Sequence, residues 1–170
     1  MPGKMVGHRI LGIDPGFGRT GFGIIEKVGG DWKLVDYGCI ETSTKDIFVQ
    51  RLEELSIQLT NIVKKYKPTH AAVEELFFAK NVTTAIKVGQ ARGVILLTLR
   101  QARVPVFEFT PLQVKQSVTG YGRAEKGQLQ RMVKMLLGLK KPITQDDAAD
   151  ALAVALTCAS SLKMSAVFRK

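Results

Sequence analysis

The chain is poor in soft metal ligands. Among 170 residues it has two cysteines, Cys39 and Cys158, and two histidines, His8 and His70. There is no Cys-x-x-Cys pair and neither histidine has ligand spacing, which argues against a zinc finger or ribbon. Two distant cysteines make no disulfide framework, so both are expected as small buried residues of a reduced, cytoplasmic protein. The first nine residues lack the apolar core of a signal peptide. No run of about 18 apolar residues occurs, and no membrane span is expected. Repeats, low-complexity runs and long linkers are also missing. One domain over 1–170 is expected, with 1–8 and 163–170 as flexible tails. Acidic residues are scarce beside basic ones, 15 Asp and Glu against 25 Lys and Arg, for a net charge of +10. That excess makes nucleic acid the first partner class to consider and an anionic membrane the second.

The charge is unevenly placed. Residues 1–75 hold ten basic and ten acidic residues, whereas residues 76–145 hold twelve basic residues and only Glu108 and Glu125 as acids. One 70-residue segment therefore matches the whole excess, the pattern of a nucleic-acid face rather than of scattered solvated lysines.

Hydrophobic periodicity gives the element order. Arg9–Asp14 is an apolar run closed by the Asp14-Pro15-Gly16 turn signal. Gly21–Val28 and Trp32–Thr42 read as two further strands around a Gly29-Gly30-Asp31 hairpin turn. Ser43-x-x-Asp46 resembles a capping box, and Phe48, Leu52, Leu55, Leu59, Ile62 and Val63 follow at helical spacing up to Pro68. Ala71–Val73 reads as a short buried strand, 81–102 as a helix and 104–107 as another strand. Residues 111–137 read as helical with a break at Gly120-Tyr121-Gly122, and a last helix runs from about Thr144 to Leu162. The order βββαβαβααα predicts an α/β fold with a five-stranded mixed sheet, three antiparallel strands and then two parallel ones, flanked by helices. Ala85, Gly89 and Gly93 recur every four residues on the 81–102 helix. They suit close helix packing, either on the chain's own sheet or at a subunit interface.

The acids carry the sharpest chemical signal. Asp14 ends one buried strand and Glu74 ends another. Asp147 and Asp150 lie one turn apart on the Ala- and Leu-rich stretch DDAADALAVAL, where an unpaired charge is costly. Each has a plain alternative: a turn residue for Asp14, a strand-end acid for Glu74, and a Thr144-x-x-Asp147 capping box. Asp146 reads as a structural acid. Taken together, four carboxylates converging at one sheet edge suit Mg²⁺, which prefers oxygen ligands and shares them with phosphate. Two such ions roughly 4 Å apart support in-line phosphodiester hydrolysis. Gly16-Phe17-Gly18-Arg19-Thr20-Gly21 matches a dinucleotide fingerprint, but a strand follows it rather than a helix, and that reading fails.

The blocks ILGIDPGFGRTGFGII, AAVEELFFAKN, KVGQARGV, QVKQSVTGYGRAEKGQ and DDAADALAVAL, in this order over about residues 9–160, resemble the RuvC family of crossover (Holliday) junction endodeoxyribonucleases. The resemblance implies a ribonuclease H-like fold, a homodimer and Mg²⁺-dependent cutting of four-way junction DNA by paired symmetric nicks, in recombination and repair. It implies two Mg²⁺ per site, with Mn²⁺ able to substitute. Asp14, Glu74, Asp147 and Asp150 match the family's catalytic, metal-binding carboxylates. Phe77 matches an aromatic near the unstacked junction bases, and Lys115 and Lys126 match lysines near the scissile phosphate. RuvA and RuvB are the implied partners, and no membrane is. Paired nicks also call for two carboxylate sets, hence a two-fold dimer. The competing classes are an RNA-acting nuclease of the same fold, a non-catalytic binder of branched DNA, and an actin-like ATPase. The last needs two such folds, and 170 residues supply one.

Overall fold

The computed structural model describes residues 8–75 and 82–167. The elements in chain order are β1 (Arg9–Asp14), β2 (Arg19–Val28), β3 (Asp31–Glu41), α1 (Phe48–Tyr66), β4 (His70–Glu74), α2 (Val82–Gln101), β5 (Val106–Phe109), α3 (Pro111–Thr119), α4 (Lys126–Leu136) and α5 (Asp146–Val167). The sheet order is β3-β2-β1-β4-β5. β1, β2 and β3 pair antiparallel, while β4 lies parallel to both β1 and β5. This is the mixed five-stranded sheet expected from the element order.

Strand alternation sorts the core into two layers. Leu11, Ile13, Ala71 and Val73 face α1 and α2, where Leu55, Leu59, Ile95 and Leu99 meet them. Ile10 and Ala72 face the other way, toward Val114, Val133 and α5. From Ala148 to Ala159 every α5 residue except Asp150 is buried. A helix apolar on nearly all sides is one enclosed by protein, and α5 lies between the sheet and helices α3 and α4.

Two glycines let α5 approach the sheet. A Cβ on Gly12 would stand 2.0 Å from the Ala151 carbonyl oxygen, and one on Gly21 would stand 2.0 Å from that of Asp147. Since Gly21 pairs with Asp14 across the β1–β2 ladder, the start of α5 is pinned beside the end of β1.

Several boundaries differ from the sequence reading. Ser43 and Asp46 form a turn, with the Asp46 amide donating to the Ser43 carbonyl at 3.3 Å, and α1 begins only at Phe48 without a side-chain cap. β5 starts at Val106 rather than Val104, because Arg103 takes a left-handed backbone (φ 58°) and Val104 is still buried against the α1–α2 layer. α5 starts at Asp146, so Thr144 lies outside the N-cap position, and the helix runs to Val167. By length and composition α2 is apolar enough to cross a membrane. It packs on the sheet instead, through buried Ala91, Ile95 and Leu99 and an ion pair from Arg92 to Glu108 of β5. The small-residue stripe does not pack wholly on the chain's own sheet: Gly93 is exposed, with open space where its Cβ would be.

Candidate active site

The site begins with strand direction. β1 and β4 are parallel neighbours, so their carboxyl ends lie on one edge and present Asp14 and Glu74 side by side. Burial is the first cause that raises the Asp14 pKa, and the negative charges of Glu74, Asp150 and Asp147 follow; together they push it up to about 8. In its protonated form Asp14 donates a hydrogen bond to Glu74. Burial, then the charge of Asp150, raises Glu74 too. Burial also raises Asp150, against the opposing pull of the Lys126 ammonium. Asp14 of β1 thus feels the acids of β4 and α5, and with its burial they let it hold a proton near neutral pH.

Cations sit among them. Lys126, the first residue of α4, places Nζ 3.2 Å from Asp146 and 3.5 Å from Asp150. Asp146 is exposed and also accepts from Gln130 at 2.8 Å, which leaves it as the surface anchor of Lys126. Lys115 is on α3, whose N-terminus is fixed by a capping box in which Thr110 and Gln113 bond each other's backbone amides at 3.2 and 2.9 Å. Glu74, Lys115, Lys126 and Asp150 line one small cavity of about 170 Å³. Phe77 lies outside the described residues.

Two arginines, neither picked out individually in the sequence, hold the acids in place. Arg19 of β2 lies across from Glu41 on β3, and its Nε is 3.3 Å from Glu41 and 3.4 Å from Asp147. Arg92 of α2 donates from Nε to the Glu74 carbonyl at 3.2 Å and pairs with Glu108 through its other end. It therefore fastens the end of β4 to β5 and is not a free cation of the basic segment. Beside Asp14 the Pro15–Gly18 loop is clamped in turn. The Thr20 hydroxyl donates to the Gly16 carbonyl at 2.8 Å, and Arg51 donates to the Phe17 carbonyl at 3.2 Å while lying over its ring.

The donor set is all carboxylate oxygen, the preference of a hard divalent cation. Burial and then the neighbouring negative charge keep Asp14 protonated, and that charge is what such an ion would neutralise. As the side chains stand, no three or more His, Cys, Asp or Glu groups among the described residues are gathered closely enough to hold a metal. Lysine and arginine take up part of the carboxylate oxygens instead.

Known proteins give the same direction. The family model described as crossover junction endodeoxyribonuclease RuvC matches residues 10–158. The chain is 59% identical over 146 residues to the RuvC crossover junction endodeoxyribonuclease of Petrotoga mobilis, covering 86% of this chain and 90% of that one. It is 53% identical over 156 residues to that of Halothermothrix orenii, covering 92% and 94%. Among solved structures, T. thermophilus RuvC in complex with Holliday junction substrate is similar with a TM-score of 0.88 and 34% identity, over 93% of this chain and 96% of that one. The ribonuclease H-like arrangement expected from the motifs is the one observed.

Proposed function

The chain belongs to the RuvC family of crossover junction endodeoxyribonucleases, and we propose that it resolves four-way DNA junctions with Asp14, Glu74, Asp147 and Asp150 as its catalytic carboxylates. The observation that carries this reading is the gathering of acids from β1, β4 and α5 at one sheet edge beside Lys115 and Lys126. Nucleases of this family are metal-dependent in general. Here the four acids would hold Mg²⁺, two ions per site, with Mn²⁺ as a substitute. When bound, the ions supply a water activated for attack and charge stabilisation at the leaving 3′-oxygen.

The chain's own residues do the rest. Lys115 and Lys126 bind phosphate oxygens at the scissile position. The Lys126 ammonium, now shared by Asp146 and Asp150, turns to the phosphate when DNA arrives. Arg92 positions Glu74 through its backbone, and Arg19 positions Asp147. Phe77 is assigned to the unstacked bases of the junction on the family resemblance alone. The basic segment 76–145 carries the DNA arms.

A homodimer supplies the second carboxylate set. The exposed stripe of Val82, Ile86, Gly93 and Leu97 on α2 is the surface assigned to it, since these groups form one apolar row with room at Gly93 for a close helix. RuvA and RuvB are the partners that would deliver the junction. The cytoplasm, where the DNA lies, is its place of work.

Incubation with a synthetic immobile four-way junction and Mg²⁺ tests the reading. Paired symmetric nicks are expected, and Asp150→Asn should lose cutting while retaining junction binding. Preferential cutting of RNA, or nicking by Asp150→Asn in Mg²⁺, would overturn it.

A further inference from the structure

A second, larger cavity of about 870 Å³ lies on the α5 side of the sheet, at the edge opposite the carboxylates. His8 and His70, which stand at the amino ends of β1 and β4, line it. β1 is six residues long, so the two edges are about 16 Å apart at the usual rise of a strand. The DNA chemistry described above makes no use of this cavity.

Its walls have two characters. Apolar side chains form one part, among them half-buried Trp32 and Leu136, the latter 46% exposed although it lies within a concave surface. The other part is cationic through Lys27 and Lys163, which stand at the cavity beside the two histidines, whose rings stack at 6.4 Å. No Asp or Glu is among the described residues that line it. The acids next to it are engaged elsewhere, Glu26 with Arg9 at 2.9 Å and Asp31 with Lys33 at 3.8 Å. Burial and the neighbouring His8 lower the pKa of His70, so its ring is neutral near pH 7 and offers hydrogen bonds while the lysines carry the charge.

A phosphate backbone would satisfy the lysines and leave the apolar wall wet. A purely apolar ligand would do the reverse. An occupant that uses both carries carboxylates next to one large apolar side chain. We propose that this cavity is a docking site for an acidic peptide segment of a partner protein, anchored by an aromatic or long aliphatic residue packed against Trp32 and Leu136. Lys163 follows Asp150 by thirteen helical steps along α5, about 20 Å at the helical rise. A partner held here leaves the carboxylate edge open to DNA.

Trp32, the single tryptophan of the chain, reports on the site directly. The full-length protein is titrated with a hexapeptide of aspartates ending in phenylalanine, and binding is followed by Trp32 emission and by polarisation of a labelled copy. Saturable binding is expected. It should be at least ~10-fold weaker when alanine replaces the phenylalanine, when asparagines replace the aspartates, and in the Lys27→Glu, Lys163→Glu double variant. That variant should keep its thermal midpoint and its junction nicking, since neither lysine belongs to the cutting site. Three results would overturn the proposal: no saturable binding by either readout, equal binding of the asparagine peptide, or displacement of the peptide by a short single-stranded oligonucleotide at lower concentration than the peptide's own midpoint. The last would assign the cavity to nucleic acid. None of these outcomes bears on the nuclease reading, which the junction assay tests separately.

Discussion

Replacing Asp14 by asparagine should stabilise the metal-free protein. Burial, then the charges of Glu74, Asp150 and Asp147, push this carboxyl up to about 8, against 3.8 for an unperturbed aspartate. Because the folded-state value is the higher one, the native protein keeps a proton that the unfolded chain gives up. Stability therefore falls as pH rises from about 4 to about 8 and is level above that. At pH 7 roughly three pH units of this interval have been crossed, an upper limit of about 4 kcal/mol. Lys126 beside Asp150, the proton shared with Glu74 and water at the open side of the site all reduce that figure. The asparagine amide can still donate to Glu74, and a gain of about 1–2 kcal/mol is expected. For a domain of this size that is a rise of roughly 2–8 °C in melting temperature. Thermal melts in EDTA across this pH range should show a declining midpoint for the wild type and a flatter, higher one for Asp14→Asn. Mg²⁺ at the alkaline end should raise the wild-type midpoint more than that of the variant. A variant less stable than wild type at pH 7, or one with the same pH slope, would refute the reasoning.

Gly21→Ala would drive a Cβ to 2.0 Å from the Asp147 carbonyl oxygen; since backbone cannot swing aside, a loss of about 2 kcal/mol or more in denaturant melts and a collapse of cutting are expected. Lys126→Ala should slow cutting and lower the salt slope of junction binding by at most ~1, and an unchanged slope with a wild-type rate would make this lysine a bystander. Leu97→Glu places a charge on the exposed α2 stripe and should shift sedimentation toward monomer, with single nicks replacing paired ones.

Much of the candidate site was legible because its signals are local. An apolar run closed by an acid marks the end of a buried strand, and β1 and β4 both carry that mark. The parallel pairing that sets Asp14 beside Glu74 followed from the element order. Arg19 and Arg92 were not legible as positioning residues, because their partners lie on elements far away in sequence: Asp147 for one, Glu74 and Glu108 for the other. A usable signal was present, though. Gly21 and Gly23 lie on one face of β2, and Gly23 pairs with Gly12 of β1. A bare patch of that kind on a sheet predicts a helix in close contact, and the small-residue helix DDAADALAVAL is the one that fits. β5 was misplaced by two residues because Val104, apolar and buried, belongs to the turn leaving α2, and hydrophobicity alone does not separate the two roles.

Two positive groups stand among the acids, a proton held between Asp14 and Glu74 and the Lys126 ammonium at Asp150. Were the four acids to take up Mg²⁺ as proposed, the ions would displace both, so metal uptake is expected to be a proton-releasing exchange. Cutting is then expected to depend on pH and on metal supply as one joint variable rather than two, with the Lys126 ammonium passing from Asp150 to the phosphate of the arriving DNA.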